Sequence, residues 1–294
     1  MKTRLIHAVT LGLAALVLAA CATATLTRLA YANAALAYNN IGPMLTWMVD
    51  DYVDLSDLQQ DWVRDRVARA MEWHRTQELP RYREFLESAL ARTETAFGAQ
   101  DVAAYHRGLR AHYHRLVEHL VPDMAEFLAN VDAEQVAQLE RKFADDNRRF
   151  ARESVKGTPD ERRARRMQRF IDHLEGWIGA LSDEQRDLVA DHYRTLPDFS
   201  DEMLGERRFR QGEIMQLVRA RPPRDAMVAQ LRRLLVRTDE WRRPEYLQKV
   251  RARDQKGFEM LAALSATLSP AQRAALQMRI RGFMRDITTL TASN

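Results

Sequence analysis

Leu276, Ile280, Phe283, Ile287 and Leu290 step through the C-terminal end of the chain by four, three, four and three residues. That spacing puts all five on one face of an α-helix, with Arg273, Arg279, Arg281 and Asp286 left for the other faces. Leu58, Trp62, Val63, Val67, Ala70 and Met71 repeat the pattern. No convincing run of Val, Ile and Thr alternates with polar residues at period two, and no Asn-Gly or Asp-Gly pair marks a hairpin, so strands are not expected. The expected fold class is all-α: an elongated multi-helix bundle.

Proline and glycine punctuate that bundle. The breaks are Gly42-Pro43, Pro122, Gly157-Thr158-Pro159, Leu196-Pro197, Pro222-Pro223 and Pro244, because proline removes a helix donor and restricts the residue before it. Pro80 lies inside a helical run and either kinks one helix or separates two. Helices are expected near 45–50, 56–78, 81–94, 98–128, 132–155, 160–180, 182–195, 199–220, 223–239, 244–266 and 269–291.

Four of these helices open on one pattern: Leu55-Ser56-x-x-Gln59, Val131-Asp132-x-x-Gln135, Leu181-Ser182-x-x-Gln185 and Leu268-Ser269-x-x-Gln272. Ser or Asp at the N-cap accepts from the amide of the Gln, whose side chain reaches back to the N-cap amide: a capping box. Each box satisfies amides at a helix start and contributes about 1 kcal/mol. Pro270 fits the first helical position, where no N–H is needed. Capping leaves two shared positions unexplained: an aliphatic residue four after the Gln (Val63, Leu139, Val189, Leu276) and a basic one seven after it (Arg66, Lys142, His192, Arg279). In this the copies resemble the Leu-Thr-x-x-Gln motif of small periplasmic helical chaperones and envelope-stress regulators. Here Ser or Asp replaces Thr, and the copies lie 50 to 87 residues apart.

The N-terminus carries a different message. Lys2 and Arg4 precede an uncharged apolar stretch, Ala8 to Ala20, too short to span a bilayer, and then Leu18-Ala19-Ala20-Cys21. The order is that of a secretory signal, and the chain's one cysteine, directly after the small residues, resembles the lipobox of bacterial lipoproteins. The resemblance implies a diacylglyceryl group on the Cys21 sulfur, cleavage after Ala20 and acylation of the new amine. Several acyl chains hold a protein at a bilayer where one does not. Ala22, in place of Asp, implies export to the outer membrane. The expected division is a signal peptide at 1–20, a lipidated leash at 21–36 and one all-helical domain at 37–294, with two packed halves dividing near 154–160 as the alternative. Once Cys21 is lipidated, no thiol remains for a disulfide, a cysteine zinc site or a nucleophile.

The whole chain holds 45 Lys and Arg against 41 Asp and Glu. Removing 1–20 takes two basic residues and no acid, so the body is close to neutral, and nucleic acid is not an expected partner. The densest basic run, Arg162-Arg163-Ala164-Arg165-Arg166 with Arg169, reads as a solvated helix surface. Contact with anionic lipid headgroups is the functional alternative.

Tyr38-Asn39-Asn40, Trp47, Asp51-Tyr52-Val53-Asp54-Leu55, Gln59 and Trp73-His74-Arg75-Thr76-Gln77-Glu78-Leu79-Pro80-Arg81-Tyr82 are together similar to a family of proteobacterial lipoproteins, domain-of-unknown-function family 6279. The similarity is strongest over 38–82. It implies a helical lipoprotein and brings no activity or catalytic residues.

Aromatic and acidic residues are concentrated in this stretch, and Trp47, Asp51, Tyr52, Trp62, Trp73, His74 and Arg81 form the candidate binding face for a peptide or glycan. The bland reading packs the aromatics between helices, while Asp50, Asp51 and Asp54 end one helix and lead into the next. A glycan hydrolase using carboxylates near 50–78 is the enzymatic alternative and needs two acids at a defined separation. His106, His112, His114, Glu118 and His119 are the only histidine concentration. Without a His-Glu-x-x-His signature no metal site is expected. The chain has no glycine-rich phosphate loop, Gly-x-Ser-x-Gly elbow or dinucleotide fingerprint, so neither cofactor nor catalysis is expected. The expected function is that of a non-enzymatic lipoprotein on the periplasmic face of the outer membrane. Its partners are the membrane, through lipid on Cys21, and other envelope proteins or cell-wall and lipid components, with a chaperone or stress adaptor as the specific form.

Overall fold

A computed structural model describes residues 38–292 of the 294-residue chain. Cys21, the signal segment and the leash lie outside the described residues. The described residues are all-α, a multi-helix architecture without a strand. In order the helices are α1 (Ile41–Val53), α2 (Asp57–Trp73), α3 (Leu79–Arg92), α4 (Ala99–Ala129), α5 (Ala133–Phe150), α6 (Pro159–Ile178), α7 (Asp183–Thr195), α8 (Ser200–Ala220), α9 (Arg224–Leu235), α10 (Pro244–Ala266) and α11 (Pro270–Ala292). A turn of π-helix, His74–Glu78, joins α2 to α3, a second, Ala151–Val155, follows α5, and Thr238–Glu240 is a turn of 3₁₀ helix.

Three of the expected breaks behave differently. Gly42-Pro43 falls in the first turn of α1, where the missing N–H costs nothing, so α1 starts at Ile41 and not near residue 45. Pro122 lies inside α4, which runs through it. Pro80 is the second residue of α3, directly after the π turn that joins α2 to α3, and the carbonyl four residues before it, which its missing N–H cannot reach, belongs to Thr76 inside that turn.

The chain forms two compact units, each built from three segments. The first comprises 38–78, 112–154 and 201–242, and the second 79–111, 155–200 and 243–292. The core of the first unit includes Leu45, Val49, Val63, Leu116, Val121, Met124, Val218, Met227, Leu231 and Leu235. The smaller core of the second is Ile171, Ile178, Leu181, Val189, Met260 and Leu264.

Inside each unit the four capping boxes meet in pairs. All four boxes are formed. In the first unit Gln59 Nε2 donates to Gln135 Oε1 at 3.0 Å and Gln135 Nε2 to Gln59 Oε1 at 2.6 Å. In the second, Gln185 and Gln272 exchange the same two bonds, each 2.9 Å. The spare amide hydrogens reach the carbonyl two residues before the partner's cap: Gln135 to Asp54, Gln185 to Thr267, Gln272 to Ala180. The hairpin α1–α2 thus faces the hairpin made by the C-terminal part of α4 and α5, and α6–α7 faces α10–α11, with α1 packed on α5, α6 on α11 and α7 on α10.

The two shared positions that capping left over are explained by this pairing. Val63, Leu139 and Val189 are buried in their hairpins, and Leu276 is packed against the second core. The basic residue seven after each Gln reaches the first helix of the facing hairpin. Arg66 meets Glu126 and Asp123, Lys142 meets Asp51, Arg279 donates to the Gly176 carbonyl, and His192 lies in the field of Lys256 and Glu259. A fifth capping box, Thr158 with Glu161, starts α6.

Candidate functional site

The first unit contains an apolar cleft between α1, α2 and α4. From α2 come Trp62, Val63, Arg66, Val67, Ala70 and Met71, one stripe at three-and-four spacing; from α4 come Leu120, Asp123, Met124 and Phe127; from α1, Leu45 and Val49. Its volume is about 60 Å³. Leu45, Val49, Val63, Ala70, Leu120, Met124 and Phe127 are buried and form the floor, whereas Trp62, Arg66, Val67 and Met71 are half-buried and form the rim. Trp62 stacks on Phe127 with ring centroids 6.0 Å apart. The Arg66 guanidinium sits 4.8 Å over the Trp62 ring and meets Glu126 at 3.2 Å and Asp123 at 3.6 Å.

Further along the same antiparallel pair, apolar contacts give way to buried polar ones. Trp73 stacks flat on His119, 3.8 Å between centroids. The π turn then carries His74 and Glu78 inward, both buried. Arg115 Nε donates to Glu78 Oε1 at 2.9 Å, and His112 Nδ1 lies 3.3 Å from Glu78 Oε2. The Tyr38 hydroxyl is 2.8 Å from His74 Nδ1 and 3.4 Å from the Met71 carbonyl. Burial pushes His74 down to about 4, against the opposing pull of the Glu78 charge, so its imidazole is neutral at pH 7. Burial lowers His119 as well. Glu78 is fully buried, with the Arg115 guanidinium against one of its oxygens and the His112 imidazole against the other.

The residues of the candidate binding face go to different places. Trp62 lines the cleft and Trp73 continues its helix face onto His119. Tyr52 hydrogen-bonds Asp146 of α5, and burial together with the Asp146 charge raises its hydroxyl well above the ordinary tyrosine range. Asp51 pairs with Lys142. Trp47, on the far side of α1, is 60 % exposed. Arg81 is exposed and belongs to the second unit. The acids of 50–78 are likewise dispersed: Asp50 accepts from the Leu55 amide, Asp54 ends α1 with a left-handed φ of 56°, Asp61 pairs with Arg64 and Asp65 with Arg69.

The histidines diverge too. His106 packs against Phe258, His114 against Tyr113, and Glu118 pairs with Arg232. Among the described residues no three His, Cys, Asp or Glu gather as a metal would require. In the basic run, Arg162 and Arg166 share Asp198, and Arg163 pairs with Asp160. Arg162 also donates to the carbonyls of Val155 and Gly157, tying the loop to the start of α6.

Of the candidate binding face read from the sequence, only Trp62 lines the cleft, and the residues opposite it were not among the candidates. Asp123, Met124 and Phe127 share a face of α4 at a spacing visible in the sequence, but which face of a 31-residue helix meets α2 is decided by tertiary pairing.

The family of unknown function DUF6279 matches this chain over residues 51–247, about two thirds of its length. No curated protein and no solved structure matches it. The matched span begins in α1, takes in most of the cleft and both π turns, and ends in α10. The chain belongs to the DUF6279 family.

Proposed function

We propose that this protein is a lipoprotein held at the periplasmic face of the outer membrane through Cys21, and that it works by binding other envelope components through the α2–α4 cleft, without chemistry of its own. The observation that carries this reading is the cleft: an apolar floor between three helices, with a stacked Trp62–Arg66 pair and Asp123 at the rim. Apolar concavities with a few placed polar groups are the usual form of a binding pocket. Support for the tether comes from Leu18-Ala19-Ala20-Cys21 after a basic and then apolar leader.

The ion pairs within 50–78 favour binding over catalysis. Glycoside cleavage needs two carboxyl groups facing one substrate, one of them poised as an acid. Asp123, the acid that lines the cleft, is engaged by Arg66.

A photoreactive residue at Val67, in the cleft rim, tests the reading in living cells. Adducts with polypeptides of the envelope are expected, absent when the same residue is placed at the exposed Leu58. Adducts with glycan strands alone, or equal capture from both positions, would end it.

A further inference from the structure

Resting on the reading of the cleft as the binding site, we infer that its occupant is a polypeptide segment that inserts one aliphatic or aromatic side chain and sets a lysine or arginine beside it. Size selects the side chain. A cavity of about 60 Å³ takes the place of about four to six water-sized occupants. That is one Leu, Ile or Phe side chain, and far less than an acyl chain of membrane length.

Charge selects the neighbour. Two carboxylates face the single guanidinium of Arg66: Asp123, which lines the cleft, and Glu126, which lies beyond the lining and reaches the same guanidinium from outside it. Their side chains are 36 % and 39 % exposed, against 23 % for Arg66, whose guanidinium is also committed to the Trp62 ring. The rim therefore presents net negative charge to anything entering, and the more accessible groups carry it. The two acids are three residues apart on α4, so a cation lying along that helix meets both. An incoming helix with a basic residue one turn from its apolar anchor places the cation at these acids while the anchor fills the floor.

The full mature chain, purified with Cys21→Ser to remove the tether, is titrated with a fluorescent amphipathic peptide of Leu and Lys, with its Leu and Glu counterpart, and with sodium laurate. The Leu and Lys peptide is expected to bind about tenfold more tightly than its acidic counterpart. Asp123→Asn combined with Glu126→Gln is expected to bring the two together while leaving the melting temperature in place. Equal affinities for the two peptides, or a preference that survives the double substitution, would overturn the inference. Laurate displacing the peptide would make the occupant a lipid, and binding that appears only after deletion of 22–36 would make it the chain's own leash; either result overturns it too. If filling the floor with Ala70→Trp leaves peptide binding intact, the failure lies instead in the reading of the cleft on which this inference rests.

Discussion

Gln59 and Gln135, 76 residues apart, hold each other's side-chain amides in a reciprocal pair of hydrogen bonds, and each caps its own helix with the oxygen that completes the pair. One residue thereby fixes a helix start and a hairpin-to-hairpin contact together. Gln185 and Gln272 repeat the device in the second unit.

Removing one partner should cost more than a cap. In Gln185→Ala the Ser182 amide and the Gln272 side chain both lose partners at a buried site, and a loss of about 2 kcal/mol in urea unfolding is expected. Ser269→Ala removes only one cap and should cost about 1 kcal/mol. The double variant Gln185→Ala with Gln272→Ala should cost less than the sum of its singles. Strict additivity would mean that the two amides do not interact.

Acid should weaken the first unit through His74. Its folded imidazole takes a proton only near pH 4, the unfolded one near 6.5. Between those values the unfolded chain binds more protons, so stability is fully present above pH 6.5 and falls as the pH drops toward 4, by up to roughly 3 kcal/mol. His74→Gln should flatten that part of the profile relative to the parent. Parallel profiles for the two proteins would contradict the assignment.

Two glycines give opposite expectations. A Cβ at Gly108 would stand 2.5 Å from Phe85 Cε2, because the Phe85 ring lies directly over this glycine, so Gly108→Ala should destabilise by about 1 to 3 kcal/mol and Phe85→Leu should relieve part of it. Gly212 lies inside α8 with nothing near its Cβ position, and Gly212→Ala should stabilise by about 0.5 to 1 kcal/mol. Thermal melts of both variants check the pair.

An alkyne-bearing fatty acid fed to cells should label the parent protein and fractionate with it to the outer membrane. Cys21→Ser should abolish both the label and the membrane association. Label retained by the Ser variant would place the acyl group elsewhere and remove the tether from this account.

Much of the fold was legible because it is local. Helix starts at Ser56, Asp132, Ser182 and Ser269 follow from capping chemistry within four residues, and the buried faces follow from three-and-four spacing. What the Gln residues do after capping was not legible, since their partners lie 76 and 87 residues away and only hairpin packing brings them together. The same holds for Arg66, Lys142 and Arg279: the shared spacing was visible, but its reason is the helix each one reaches across to. Gly42-Pro43 put the start of α1 too late, whereas the helix expected near 98–128 already ran through Pro122, as α4 does. A proline at a helix start costs nothing, and one inside a long helix is tolerated when packing on both sides outweighs a single lost bond. Half of the cleft was visible in Trp62 and its helical neighbours; the α4 half depended on register between two helices.

The central claim is that the α2–α4 cleft is where partners bind. The most direct measurement is calorimetric titration of the purified mature chain, and of its Ala70→Trp variant, with a polypeptide captured from the Val67 position. The account predicts that the indole fills the floor and weakens binding at least about tenfold in a variant that remains folded. Undiminished affinity in a folded Ala70→Trp protein would contradict it and move the binding surface away from the cleft.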